Sequence, residues 1–130
     1  MNIERFPVRI DVASCAEKIK VAAAAFPMGV MAHINSQANC ANMGYAAAPD
    51  QILEIFRPDY AVKIWSVEKQ AGLDIPIRIH LSEYEGKTWV AYRLPTSVFR
   101  PWNNRDLHSI GVELDFIFLR LLSALDDVRV

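Results

Sequence analysis

The sequence predicts an α+β fold: a mainly antiparallel sheet of about five strands covered by two longer helices and one short helix. Three observations predict it. Residues 76–83 and 88–94 form two runs of period two, Ile77, Ile79 and Leu81 alternating with Arg78, His80 and Ser82, then Val90, Tyr92 and Leu94 alternating with Trp89, Ala91 and Arg93. Such alternation buries one face of a strand pair. Two other stretches, 14–26 and 104–127, carry their apolar residues at helical spacing, as helices lying on a sheet do. The 130 residues, 52% of them hydrophobic, fit a single domain spanning 1–130 that buries a core without disulfide or metal staples.

From the N-terminus, residues 5–12 alternate, with Phe6, Val8, Ile10 and Val12 on one side and Arg5, Pro7, Arg9 and Asp11 on the other. Pro7 has no N–H to donate, so this first strand belongs at a sheet edge. Ser14, with Glu17 three residues on, has capping-box spacing ahead of an Ala-rich run, so the first helix spans 14–26 and stops before Pro27. Residues 28–34 read as a second strand with Val30, Ala32 and Ile34 on one face and His33 on the other. Asn35 and Ser36 can cap a helical turn through Met43 that Gly44 closes. A third strand covers 51–56. A short helix over 60–71 carries Val62, Trp65 and the Lys69 stem on one stripe and ends at Gly72. After the two alternating runs, 96–103 is irregular, with the rings of Phe99, Pro101 and Trp102 folded over the core edge.

Asn104 caps the last helix, whose stripe Leu107, Ile110, Leu114, Ile117, Leu121, Ala124 and Val128 packs on the sheet. A second set, Val112, Phe116 and Leu119, falls on the opposite side, where a solvated helix is polar. Three apolar residues on adjacent turns make a patch that needs a cover. The expected cover is a second copy of the chain in a homodimer; the alternative is a helix sandwiched inside its own fold.

The two alternating runs make a hairpin whose linker, Tyr84-Glu85-Gly86-Lys87, puts Gly at the second central position of a tight turn. The matching register pairs Glu83 with Thr88, Leu81 with Val90, Ile79 with Tyr92 and Ile77 with Leu94 on the core side, and Arg78 with Arg93 on the other. Two arginines face to face are unfavourable. Glu54 is the acidic side chain at hand to relieve them, and open solvent is the plainer relief, because screening weakens such surface pairs.

Phe56 before a Pro turn, Ala71-Gly72-Leu73-Asp74-Ile75-Pro76 leading into the first hairpin strand, and Glu85-Gly86-Lys87-Thr88-Trp89-Val90 with Tyr92 before Pro95 resemble the bacterial and archaeal family known as domain of unknown function 302. The resemblance covers the middle half of the chain. Its most specific piece is Gly-Leu-Asp-Ile-Pro ahead of the hairpin. It implies a small α+β fold with helices over an antiparallel sheet, and members that commonly crystallise as dimers; it implies no activity. Where that family carries Gly-Asn-Pro after the Phe, this chain has Arg57-Pro58-Asp59.

The formal charge of −1 and pI near 6.3 give none of the basic excess that nucleic-acid binding uses. No apolar run is long enough to span a membrane, and the charged N-terminus lacks the apolar core of a signal peptide. Cys15 and Cys40 sit in no metal or disulfide spacing, which points to reduced thiols and a cytoplasmic location. No phosphate loop, HExxH or GxSxG occurs. His33, His80 and His108 are too scattered for a three-ligand metal site, and no cofactor is expected. Trp65, Trp89 and Trp102 fit core or rim packing better than a ligand pocket.

His33 and His80, both expected on the uncovered sheet side, can converge there with Arg78, Arg93 and Glu54. In such a cleft the arginines would hold a carboxylate or phosphate, and a His80 imidazole kept neutral by two neighbouring cations could act as a base. A merely hydrated sheet face is the bland alternative. The expected function is a dimeric, non-enzymatic binding module for a small anionic or amphipathic ligand, with a His80-dependent enzyme as the competing reading.

Overall fold

In the computed structural model, which describes residues 2–130, Phe6 and Val8 turn inward from β1 (Glu4–Val8). The chain then enters α1 (Val12–Ala24). The cap is Asp11, not Ser14: its carboxylate accepts the Ser14 backbone N–H at 2.7 Å. Val12, expected to end the first strand, therefore opens the helix. The earlier start joins Val12 to Cys15, Ala16, Ile19 and Ala23 in one buried stripe, which a helix starting at Ser14 would leave shorter.

β2 (Gly29–Asn35) leads into α2 (Ser36–Asn42). There the Asn35 side chain accepts from the Ala38 N–H at 3.0 Å, and Gly44 at φ +86 follows the last turn, as expected. β3 (Asp50–Phe56) begins one residue before the sequence suggests. α3 (Pro58–Val67) starts earlier than expected, because Pro at the first helical position is preorganised for it. It ends at Glu68, whose backbone is extended, and a 3₁₀ segment (Lys69–Asp74) runs through Gly72. Its buried residues are Tyr60 and Ile64; Val62 and Trp65 are exposed, so the stripe expected to pack is the outer one.

β4 (Ile77–Tyr84) and β5 (Lys87–Tyr92) form the hairpin in the expected register, Glu83 with Thr88, Leu81 with Val90 and Ile79 with Tyr92. Glu85 and Gly86 both take positive φ, 52° and 77°, which is the I′ turn whose twist suits a two-residue hairpin. The ladder stops at Tyr92, so the expected Ile77–Leu94 and Arg78–Arg93 pairs lie beyond it. The cause is Pro95, which opens α4 (Pro95–Phe99) and makes Leu94 its cap. This helix and a 3₁₀ turn (Arg100–Trp102) replace the irregular stretch expected over 96–103. α5 (Arg105–Leu122) is capped by Asn104, whose side chain accepts from the Leu107 N–H at 3.0 Å. Beyond it the chain tightens into a 3₁₀ segment (Ser123–Val128). Three residues per turn there bury Leu125 and leave Ala124 exposed.

The five strands lie in the order β1-β5-β4-β3-β2, every neighbouring pair antiparallel. β1 is an edge, as Pro7 requires, and the C-terminal residues close it: Arg9 N–H donates to the Val128 carbonyl at 2.8 Å and Val130 N–H to the Pro7 carbonyl at 3.1 Å. The buried core joins Leu53, Ile55, Ile79, Leu81 and Val90 of the sheet to Ile19 of α1 and Leu114 and Phe118 of α5. All the major helical burial is on this one face. The opposite face carries the candidate site.

Candidate functional site

Strand register decides which side chains reach the uncovered face. Ile77, Ile79 and Leu81 point to the helices, so Arg78 and His80 of β4 point away from them. In the adjacent strand Glu54 is in register with Arg78 and Ile52 with His80. Glu54 Oε2 lies 3.5 Å from Arg78 Nε, so the acidic side chain expected to relieve Arg78 does so from β3. His80 Nε2 lies 2.9 Å from Asp50 Oδ2. Asp50 was not among the residues singled out in the sequence. It follows from the same alternation as Glu54 and Ile52 once β3 begins at residue 50, and the missing residue at the strand start hid it.

His33 is not in this site. A bulge between Val30 and Ala32 shifts the alternation of β2 by one, and a one-residue slip sends each later side chain to the other face. Ala32 and Ile34 thus align with Glu54 and Ile52, while His33 aligns with Leu53 on the helix side. There His33 Nε2 is 2.6 Å from Gln51 Oε1 and Nδ1 is 3.2 Å from Lys20 Nζ. An ammonium can only donate, so Nδ1 accepts and Nε2 carries the proton given to Gln51. The imidazole is fastened between α1 and β3, away from the arginines. His80, by contrast, has the Asp50 carboxylate as a polar contact and shares its groove with Arg78 and Arg93.

Arg78, His80, Glu54 and Arg93 line one groove of about 880 Å³ along the uncovered face. Its apolar walls come from Ile52 and Ala91 of the strands, from Ile75 and Pro76 after the 3₁₀ segment, and from Val98 of α4. The Ile75–Pro76 peptide is cis. Leu73, 84% exposed, stands at one rim. Asp74, also in the lining, accepts the Trp102 indole N–H at 2.7 Å. That bond fixes the 3₁₀ segment against the turn after α4, so the wall opposite the sheet is held by the segment that carries Gly-Leu-Asp-Ile-Pro.

The other residues weighed from sequence have structural settings. Trp89 lies under the Arg5 guanidinium, 4.2 Å from the ring centroid; Lys69 stacks on Trp65 at 4.4 Å. His108 is exposed at the start of α5. Both cysteines are free, and burial pushes the Cys15 thiol up to about 11. Among the described residues no group of three or more His, Cys, Asp or Glu is placed to hold a metal ion, and no helix is long and apolar enough to cross a membrane. Val112, Phe116 and Leu119 are exposed on the outer face of α5, 40%, 67% and 48% accessible.

Comparison with known proteins agrees with this architecture. The fold is similar to the crystal structure of an uncharacterized conserved DUF302 protein from Bacillus stearothermophilus, with a TM-score of 0.85, 20% sequence identity and 99% of each chain covered. No curated protein matches the sequence. The family model for the domain of unknown function DUF302 matches residues 4–126. With all but the chain ends inside that match, the protein belongs to the DUF302 family.

Proposed function

We propose that this protein is a homodimeric, non-enzymatic binding module whose groove takes a small amphipathic anion. The observation that supports this reading is the make-up of one groove: Arg78, Arg93 and His80 beside an apolar lining of Ile52, Ile75, Pro76, Ala91 and Val98. Magnitudes favour an amphipathic ligand over an inorganic anion. The Arg78 side chain is 66% exposed and shares its charge with Glu54, and an exposed ion pair is worth at most about 1 kcal/mol. Each methylene buried against the apolar walls contributes about 0.8 kcal/mol. A chain of several carbons therefore outweighs the head group, while the arginines fix its orientation. The free thiols of Cys15 and Cys40 suit a reducing, cytoplasmic setting.

Native mass spectrometry of the purified protein tests this. The expected result is a retained molecule with one acidic group and an alkyl or aryl part, lost when Arg78 and Arg93 are both changed to Ala. A retained molecule that is cationic or wholly hydrophilic contradicts it.

One contact favours a second reading. Asp50 Oδ2 holds His80 Nε2 at 2.9 Å, the carboxylate-imidazole arrangement that orients a general base. If the groove is catalytic, His80→Ala abolishes turnover while the ligand still binds; in the binding module His80→Ala leaves a functional protein.

A further inference from the structure

We propose that two copies of the chain associate through the outer face of α5, the two helices running antiparallel about a two-fold axis at Phe116. This gives the homodimer suggested above its contact surface. Among the exposed positions of the last helix and its 3₁₀ extension, one row starting from Arg105 runs at steps of four and three, through Ser109, Val112 and Phe116. It continues through Leu119 and Ser123 to Asp126. That is the spacing of a seam between two helices, and it lies opposite the stripe that packs on the sheet.

The order of residue types along the seam is palindromic in chemistry. Antiparallel pairing about Phe116 sets Phe116 on its own copy, Val112 against Leu119 of the second copy, and Ser109 against Ser123. It also brings Arg105 to Asp126. Asp126 is available for this contact, since its carboxylate is exposed and its intramolecular partner Arg129 is 3.9 Å away. Beside the seam, Glu113 meets Arg120 of the second copy by the same symmetry. Parallel pairing would set Arg105 on Arg105 and Asp126 on Asp126. Charge thus selects the orientation, and a two-fold contact uses each favourable pair twice.

Area argues that the seam has flanks. The three apolar residues offer roughly 300 Å² per copy, against about 800 Å² per partner in a standard interface. α5 packs against both α1 and α3, and these present Val21, Val62 and Trp65 to solvent, 74%, 61% and 43% exposed. The outer surface of the helical layer is therefore apolar beyond α5 itself.

Cross-linking of the full chain in a Cys40→Ser background, with buried Cys15 left in place, tests the orientation. With a short bis-maleimide, Phe116→Cys should cross-link to itself. Arg105→Cys and Asp126→Cys should each fail alone, because antiparallel copies of either position lie roughly 30 Å apart at 1.5 Å per residue, and should cross-link when mixed. In sedimentation, Phe116→Asp should give a monomer with an unchanged circular dichroism spectrum. Arg105→Asp and Asp126→Arg should each weaken the dimer about fivefold and together restore it. Self-cross-linking of Arg105→Cys, or a dimer that survives Phe116→Asp, overturns the seam and leaves a dimer of another geometry. A wild-type monomer at about 100 µM overturns the dimer itself and leaves the groove's ligand binding to stand on its own titration.

Discussion

Asp11 decides where α1 begins, and it does so electrostatically as well as by shape. The hydrogen bonds from Ser14 hold its carboxyl below the ordinary value of 3.8. A group whose folded pKa is depressed stabilises the fold above its unfolded pKa, and that contribution is lost as pH falls through the folded value. Asp11→Asn keeps an acceptor without the charge, so its urea midpoint should fall less than wild type's between pH 4 and pH 2; equal slopes would contradict the assignment. Cys15 provides a second test at this scale. Buried on the inner face of α1 with its thiol pushed up to about 11, it should resist alkylation at pH 8 until denaturant is added. Half-buried Cys40 should react first, as mass spectrometry of the labelled protein would show.

The same scale shows what a sequence conceals. Arg78, Glu54, His80 and Arg93 were legible because alternation alone puts the first three on one face, and all four line the groove. His33 was not, because the bulge between Val30 and Ala32 leaves no Gly or Pro signature at that place. Asp50 was one residue outside the recognised strand. The partner of His80 therefore came from geometry and not from spacing.

At the scale of elements, the N-cap of the last helix and the hairpin register as far as Tyr92 were readable to the residue, since both rest on local periodicity reinforced by burial, whereas the far ends of both, at Leu94 and beyond Leu122, were not. α4 was missed for a physical reason: five residues are too few for a period to appear, and the helix is held from outside. Asp115 of α5 accepts the Thr96 N–H at 3.0 Å and its hydroxyl at 2.7 Å. Gly111 lets the two helices approach, with a Cβ there falling 3.2 Å from the Thr96 Cα. Asp115→Ala leaves two half-buried donors unpaired and should cost about 1–3 kcal/mol in denaturant unfolding. Asn104→Ala removes the α5 cap and a bond to the Val67 carbonyl, for about 1–2 kcal/mol. A loss below about 0.3 kcal/mol in either variant would show that these clamps are incidental.

At the scale of the molecule, the two sides of the sheet have different assignments. The helical side supplies the core and, at its outer surface, the exposed apolar residues Val112, Phe116 and Leu119 on which the proposed dimer contact rests. The strand side supplies the groove, where an internal carboxylate already sits beside one of the arginines: Glu54 Oε2 is 3.5 Å from Arg78 Nε. Removing the internal competitor should therefore strengthen binding. Glu54→Gln is expected to tighten affinity for an amphipathic carboxylate about fivefold, the equivalent of one exposed ion pair.

In the proposed complex the head group is oriented by Arg78 and Arg93 while the tail lies on Ile75, Pro76 and Val98, all of which line the groove. An NMR titration of the isotope-labelled protein with decanoate and, separately, with inorganic phosphate tests that placement. The expected result is saturable shifts for decanoate confined to residues 52–54, 73–80 and 91–98. Affinity should drop about tenfold in the Arg78→Ala, Arg93→Ala double variant, the loss of two exposed ion pairs at up to about 1 kcal/mol each, and phosphate should bind far more weakly. Equal affinity for phosphate and decanoate, or decanoate shifts that leave those residues untouched, would contradict it.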